Sequence, residues 1–420
     1  MRTGAWTAGI FSAAIGFAQP AAAQVDQQLA QQYFAEARSL CERDAGRLWG
    51  VSICGPMIIG DMRTQTFATS QAAPQTPRPP LVGLVNAPLQ WGGATWGAYV
   101  WDFLVNETPR RRNEILLHEL FHGVQPQLGL IAAAPATEHL DTADGRYWLR
   151  LEWRALARAL TGAGDGRTGG VRDALAFRQA RHTRYPAAAE SERASEIVEG
   201  LASYTATVLA AASTTEATAS AHDQLASAEQ QASFVRTFAY ASGPAYGLLL
   251  DASAPTWRRT LKGGDDLGIL LMNALAVQPS PDAAAAAATY DGAALRAAEQ
   301  QREEQRQARI ADLRRRFVEG PVLVITGGGR GSSDARGAVV IPGGGTVFFG
   351  AYRSSGDWGT LEANAGVLVS SEGTTRRVPA PVRRDDGTFA GDGWTFTPAP
   401  GWIVREGPRR GDYEVVRQQP

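Results

Sequence analysis

The sequence has no excess of charge of either sign. Its 41 Lys and Arg residues nearly balance 42 Asp and Glu residues, which gives a formal net charge of -1 at pH 7. A protein that binds nucleic acid usually shows a basic patch or a high pI. The near-neutral balance therefore argues against a nucleic-acid-binding function. The basic residues are nearly all arginine, which we attribute to genomic composition rather than to chemistry.

Long hydrophobic runs are also scarce. An apolar segment follows Met1 and Arg2, ends in the small residues Ala21–Ala23, and is shorter than the roughly 20 residues that span a bilayer. This pattern predicts a signal peptide over residues 1–23, cleaved after Ala23, and therefore a periplasmic or secreted protein. No cysteine stands at the predicted cleavage site, which argues against a lipoprotein. No later stretch is long and apolar enough to predict a membrane span.

Cysteine is nearly absent, with Cys41 and Cys54 as the two examples. In an exported protein, a closely spaced pair predicts a disulfide, which here would tie the first helix to the strand that follows it. Two reduced, buried thiols are the alternative. Zinc binding by this pair is disfavoured because no residues nearby supply the remaining ligands.

Hydrophobic periodicity predicts an α+β protein with a small N-terminal sheet, a mainly helical region and a final all-β region. Strands are expected within residues 53–59, 63–70, 81–85 and 95–101, and a single long helix is expected over residues 187–210. From Gly320 the pattern changes to short strands separated by glycine-rich turns. We therefore expect a first domain over residues 24–317 and a small β domain over residues 318–420.

One motif in the first domain indicates chemistry: residues 118–122 read H-E-x-x-H. Positions i and i+4 lie on the same face of a helix, so His118 and His122 can bind the same metal ion, for which zinc is the usual choice. Glu119 then lies beside the metal, where it can take a proton from a water that the metal activates. The pattern thus predicts a metal-dependent hydrolase.

The helix that carries this motif has recognisable ends. Thr108 and Pro109 have the residue types preferred at the N-cap and at the first helical position. Gly123 and Pro126 end the helix soon after His122. The alternative interpretation is a pair of ordinary histidines on a structural helix, and the helix start together with the apolar flanks favours the metal site.

A catalytic zinc held by two histidines needs a third protein ligand. Metzincins supply another histidine in H-E-x-x-H-x-x-G-x-x-H, but Gln125 and Leu128 stand at those positions and exclude that class. A later segment, Glu199-Gly200-Leu201-Ala202-Ser203-Tyr204, matches the E-G-x-A-x-Y helix of the gluzincin metallopeptidases. The chain resembles that group, in particular its aminopeptidase N-like members.

The resemblance implies a zincin-like catalytic domain in which Glu199 is the third zinc ligand. It also implies that Tyr240, in Tyr240-Ala241-Ser242-Gly243, stabilises the oxyanion as the tyrosine of the family's Y-x-K-G motif does, with Tyr246 in reserve. We expect Gly200 to allow a close approach between the Glu199 helix and the histidine helix. Overall, the chain is most similar to uncharacterised exported bacterial zincin-like proteins.

Two departures limit what the resemblance implies. The gap between His122 and Glu199 is much longer than in the aminopeptidase N-like group, which predicts an insertion with two helices. The G-x-M-E-N motif that binds a free N-terminus in those enzymes is not visible, so exopeptidase specificity is not implied. The resemblance covers about half of the chain, around residues 110–250.

Other polar residues are alternative candidates. His139 is the main rival to Glu199 as the third ligand. Glu196 is expected either to orient a ligating histidine or to be an exposed helix carboxylate. Glu152 is expected to form ion pairs with neighbouring arginines rather than to bind metal.

The sequence therefore predicts an exported zinc metallopeptidase that acts on a peptide or protein substrate. Zinc would be held by His118, His122 and Glu199, with Glu119 as the general base. The strand at residues 95–101 is expected to be the sheet edge to which an extended peptide adds. The alternative is an envelope binding or structural protein that keeps a zincin fold without turnover.

Overall fold

A computed structural model describes residues 24–61, 64–77, 85–133, 137–235, 237–333 and 338–418. The predicted signal peptide, and residues 81–84 of a predicted strand, lie outside these ranges. The chain separates into two compact units. The first unit comprises the described residues up to Asp141 together with Trp148–Tyr290, and the second comprises Thr142–Tyr147 and the residues from Asp291 onward. The predicted α+β class is confirmed.

The first unit is mainly helical. In chain order its elements are α1 (Gln27–Asp44), β1 (Met57–Gly60), β2 (Phe67–Thr69), β3 (Ala87–Trp91), β4 (Ala94–Val100), α2 (Trp101–Val105), α3 (Pro109–Val124), α4 (Ala143–Thr161), α5 (Asp165–Arg184), α6 (Ala188–Ser195), α7 (Leu201–Ala210), α8 (Thr214–Ala228), α9 (Phe238–Ser253), α10 (Leu267–Ala274) and α11 (Ala283–Ala287). The first five residues of α4 belong to the second unit.

The small sheet of the first unit has the strand order β2-β1-β4-β3. Strands β1 and β4 are parallel, with Ile58 opposite Ala98, and both outer pairs are antiparallel. The expectation that residues 95–101 form a sheet edge is wrong, because β4 lies between β1 and β3. Strand β3 was not predicted from the sequence. It is an edge strand that contains the exposed Pro88, and an edge position tolerates the missing N–H of proline.

The predicted disulfide between Cys41 and Cys54 is present, with the two Cα atoms 5.4 Å apart. It joins the last turn of α1 to the segment that leads into β1. Helix α1 buries Ala30, Phe34 and Ala37 at helical spacing, so the disulfide holds an amphipathic helix whose apolar face is already packed.

Helix α3 starts as expected. Pro109 is its first residue, and the hydroxyl of Thr108 accepts a hydrogen bond from the backbone N–H of Arg111 at 3.3 Å. Leu116, Leu117 and Phe121 are fully buried. The helix therefore packs as a core element, which fixes the direction of its side chains.

The predicted long helix over residues 187–210 is interrupted. A π-helical turn, Glu196–Gly200, joins α6 to α7. Gly200 faces α9: a Cβ atom at Gly200 would lie 3.2 Å from the Cα of Gly243 and 3.3 Å from the carbonyl oxygen of Ala239. Gly200 was expected to allow a close approach to the histidine helix α3. That expectation is wrong, because the helix that approaches Gly200 closely is α9.

The second unit contains one long helix and two sheets among its described residues. The elements are α12 (Gly292–Arg314), β5 (Val322–Thr326), β6 (Arg330–Ser332), β7 (Val339–Ile341), β8 (Gly345–Phe348), β9 (Tyr352–Gly356), β10 (Gly359–Ala363), β11 (Val367–Val369), β12 (Thr375–Pro379), β13 (Val382–Arg383), β14 (Phe389–Gly391), β15 (Trp394–Pro398), β16 (Trp402–Glu406) and β17 (Tyr413–Arg417). The sheet orders are β13-β14-β15-β10-β9-β6 and β16-β17-β5-β12-β11-β8-β7.

Both sheets contribute to one apolar core, in which Leu323 and Ile325 of one sheet meet Leu361 and Phe396 of the other. The end of α12 packs on the larger sheet through Leu313, which clusters with residues of β7, β8 and β11. Because α12 packs on this sheet, it belongs to the second unit, which resumes at Asp291. The change to a strand-rich composition at Gly320 comes only after α12 has ended. Every helix in the described part of the chain is too short or too polar to cross a bilayer.

Candidate metal site

His118, His122 and Glu199 converge in the first unit, and among the described residues they form the group that could hold a metal ion. The two Nε2 atoms lie 3.0 Å apart. The Oε2 atom of Glu199 lies 3.1 Å from Nε2 of His118 and 3.4 Å from Nε2 of His122. Four ligands at about 2.0–2.1 Å from a tetrahedral zinc ion lie about 3.3 Å from one another. The spacing therefore fits three ligands of one small divalent cation.

Two elements supply these ligands. Helix α3 carries both histidines one turn apart, and the π-helical turn before α7 carries Glu199. A π turn inserts an extra residue into a helix and is frequent at functional sites. Because α7 packs along α3 beyond this turn, the Glu199 carboxylate is brought to the face of α3 that carries the histidines.

Two side chains that were not predicted to belong to the site, Gln125 and Ser203, contact the histidine rings. Nδ1 of His122 lies 2.5 Å from Oε1 of Gln125, and Nδ1 of His118 lies 3.3 Å from Oγ of Ser203. In the sequence, Gln125 served only to exclude metzincins. Its position one turn after His122 on the same helix face was the available signal.

The ionisation states of two of the three ligands, His118 and Glu199, suit the binding of a cation. Burial lowers the pKa of His118 to about 4, so this imidazole is neutral near pH 7. Burial acts to raise the pKa of Glu199, but the hydrogen bonds and charges of both histidines outweigh it and hold that pKa below its usual range. The pKa of His122 is raised because the hydrogen bond and charge of Glu199 outweigh the effect of burial.

Glu119 lies next to the ligands without belonging to the group of three. Burial raises the pKa of Glu119 to about 7, the charge of Glu199 adds to this rise, and His122 opposes it. A carboxyl group with a pKa near the working pH can both accept and release a proton. Glu119 therefore has the ionisation behaviour expected of a general base.

Tyr240 lies at the site and Tyr246 does not. The ring of Tyr240 stacks on His118, with ring centroids 5.2 Å apart and an angle of 11° between the planes. Burial raises the pKa of Tyr240, as do the charge and hydrogen bond of Glu199, so its hydroxyl keeps its proton. The hydroxyl of Tyr246 donates to Oε1 of Glu152 at 2.6 Å, in the core.

The remaining candidates belong to a separate buried charge network. His139 contacts Oε1 of Glu192 at 2.7 Å, so it does not replace Glu199 as a ligand. Glu196 is fully buried and paired with Arg178 at 2.7 Å, so neither expectation for it holds.

Glu152 is ion-paired, as expected, but its partners are distant in sequence. It lies 3.4 Å from Arg178 and 2.6 Å from Arg181, both on α5. The neighbouring Arg150 and Arg154 instead pair with Glu229. Sequence proximity therefore predicted the kind of interaction and not the partners.

A cleft of about 760 Å³ opens beside the site. Its lining includes His118, Glu119, Ser203 and Tyr240 on one side, and it extends along the N-terminal half of α3 past Arg111. The catalytic candidates are therefore reachable from a space large enough for several residues of a peptide.

Comparison of the chain with protein-family models, curated proteins and solved structures gives no match.

Proposed function

We propose that this chain is a zinc-dependent peptide hydrolase. The observation that carries the proposal is the convergence of two imidazole nitrogens and one carboxylate oxygen within 3.4 Å of one another beside a cleft. The combination of two histidines, one glutamate and an open position is a recurring donor set for catalytic zinc. When bound, zinc acidifies a water molecule and polarises a carbonyl group.

The chain's own residues divide the remaining work. His118, His122 and Glu199 hold the metal, and Glu119 accepts a proton from water and delivers it to the leaving amine. Tyr240 lies against His118 with its hydroxyl protonated, so it can donate a hydrogen bond to the oxyanion that develops on the attacked carbonyl. His118, Glu119 and Tyr240 all line the same cleft.

A peptide substrate is proposed to bind along this cleft. Strand β3 is an edge of the small sheet and contacts α3, so any strand addition next to α3 would use β3 rather than β4. The exposed ring of Phe103 lines the same cleft and offers an apolar contact for a substrate side chain.

The test is to compare Glu119→Gln with wild type for metal content and for cleavage of a peptide library. Glutamine keeps the shape of the side chain and cannot accept a proton. We expect wild-type zinc content with turnover reduced by about 10²–10⁴-fold, the contribution of a positioned general base. Undiminished cleavage by this variant would contradict the mechanism, and wild-type protein without metal affinity would contradict the metal site.

A non-catalytic binding protein with the same fold is the alternative. It predicts a Glu199 side chain directed away from the histidines or a protein without bound metal. The Glu199 carboxylate instead lies within 3.4 Å of both Nε2 atoms, which favours the hydrolase. A zinc hydrolase that acts on a non-peptide amide shares every feature of the site, and peptide and amide substrate panels distinguish it.

A further inference from the structure

The amide of Gln125 connects the histidine helix to the turn that carries Glu199. Its Oε1 atom contacts Nδ1 of His122 at 2.5 Å. Its Nε2 atom donates to the carbonyl oxygens of Ile197 and Val198 at 3.1 and 2.9 Å. Gln125 is only 3% exposed, so these contacts are shielded from water. One buried side chain therefore touches both elements that supply ligands.

The chemistry of these contacts fixes the orientation of the amide. Carbonyl oxygens can only accept hydrogen bonds, so the NH2 group of Gln125 must face Ile197 and Val198. Its oxygen then faces His122, where it can only accept, so Nδ1 of His122 must carry a proton. In the neutral imidazole this leaves the lone pair on Nε2, the atom that points at His118 and Glu199.

We propose that Gln125 is a positioning residue for metal binding: it holds His122 in the Nδ1–H tautomer and holds the π turn so that Glu199 stays within reach of both histidines. This inference rests on the proposed metal-dependent function. Glu199 directly follows Val198 in the chain, so a displaced Val198 carbonyl displaces the carboxylate with it. The same residue thus controls the donor atom of one ligand and the location of another.

Within the described part of the chain, the contact at Nδ1 of His118 constrains the ring less. Its Nδ1 atom lies 3.3 Å from the hydroxyl of Ser203, which can either donate or accept. The hydroxyl therefore does not select a tautomer. Loss of the group that orients a metal-binding histidine typically weakens metal affinity by about 10–100-fold, and we expect the larger effect at Gln125.

The experiment measures Zn²⁺ and Co²⁺ affinity by chelator competition for wild type, Gln125→Leu, Gln125→Glu and the control Gln31→Leu. Gln31 also donates its amide to a backbone carbonyl, that of Thr69 at 3.0 Å, but away from the site. We expect affinity to fall by about 10–100-fold in Gln125→Leu and to be unchanged in Gln31→Leu. Equal affinity in Gln125→Leu and wild type overturns the proposal and leaves the proposed function standing.

The tautomer gives a readout that does not depend on metal or activity. In histidine-labelled, metal-free protein at alkaline pH, ¹⁵N NMR should show His122 protonated at Nδ1 in wild type and in Gln125→Glu. Gln125→Leu should show a mixture of tautomers. An Nε2–H tautomer in wild type overturns the proposal.

Gln125→Glu separates the two contacts and decides the test if Gln125→Leu fails to fold. Its carboxylate can still accept from His122 but cannot donate to the two carbonyls, so we expect the tautomer to be kept and metal affinity to fall. Unchanged affinity in this variant contradicts the role of Gln125 in holding the π turn. Wild-type protein that binds neither metal refutes the proposed function, whereas the NMR result still decides whether Gln125 fixes His122.

Discussion

At the scale of residues, the neighbouring carboxyl groups of Glu119 and Glu199 have pKa values that are shifted in opposite directions. Burial raises the pKa of Glu119 to about 7. The two histidines hold the pKa of Glu199 low despite its burial. Paired titratable groups whose pKa values are pushed apart divide into different roles. The carboxylate that stays charged suits a ligand, and the one that titrates near pH 7 suits proton transfer.

Tyr240→Phe is expected to lower kcat by about 10²–10³-fold, the typical effect of removing one donor to an oxyanion. Phenylalanine keeps the ring that stacks on His118, so zinc content should equal that of wild type. Steady-state kinetics and metal analysis check both statements. Unchanged kcat would exclude Tyr240 from the reaction.

Tyr246→Phe is the matched control, because its hydroxyl donates to buried Glu152 rather than facing the cleft. We expect a loss of about 1–3 kcal/mol in the free energy of unfolding, since a buried carboxylate loses a donor. Turnover per folded molecule should stay near that of wild type. A kcat loss here with none in Tyr240→Phe would reverse the assignment of the two tyrosines.

At the scale of elements, the position of the π turn depends on a close contact between this turn and α9. Gly200 and Gly243 face each other without side chains, and a Cβ atom at Gly243 would overlap the backbone of Gly200. Both glycines have ordinary helical backbone angles, so the requirement is for space rather than for conformational freedom. The crossing places α7, and the turn before it, against α3.

Gly243→Ala should therefore force α9 and the π turn apart. Overpacking of this kind costs about 1–3 kcal/mol in the free energy of unfolding, which urea denaturation measures. Metal affinity should also fall, because the turn that moves carries Glu199. The control is Gly169→Ala in α5, where a Cβ atom meets nothing within 4 Å. An alanine there should stabilise the protein by about 0.5–1 kcal/mol. Equal stability of the two variants would contradict the steric argument.

At the scale of the whole molecule, the predicted site residues all lie in the first unit, and each unit has its own apolar core. The disulfide also lies in the first unit, where it crosses from α1 to the segment before β1. Its presence fits a compartment outside the cytoplasm, where disulfides persist. It contributes to the stability of the unit that carries the metal ligands without supplying a ligand itself.

The double variant Cys41→Ser, Cys54→Ser should lose about 3 kcal/mol of unfolding free energy, the value expected when a loop of this short length is opened. Wild type in reductant should show a similar loss, measured by urea denaturation. The double variant should not respond to reductant, since the chain has no other cysteine. A reductant effect on the double variant would show that the loss has another cause.

Local features made much of the site predictable. Three of these features lie within one helix, so the sequence is sufficient to predict them. They are the N-cap at Thr108, the proline at the first position of α3, and the i, i+4 spacing of His118 and His122. The disulfide was predictable because only two cysteines are present, close together. The zincin-like fold and the peptidase activity stay predictions.

Contacts between distant segments were decided only by the tertiary structure. Whether Glu199 or His139 reaches the histidine pair depends on how α7 packs on α3. The prediction for Glu196 was wrong because its partner, Arg178, lies on another helix. The sequence by itself determined which helix presents two imidazoles on one face, since helical periodicity is local. Only the folded chain decided that the carboxylate of Glu199, 77 residues after His122, completes the group of ligands. The link that Gln125 makes between His122 and the Glu199 turn was also decided by the folded chain, since both features depend on packing between helices.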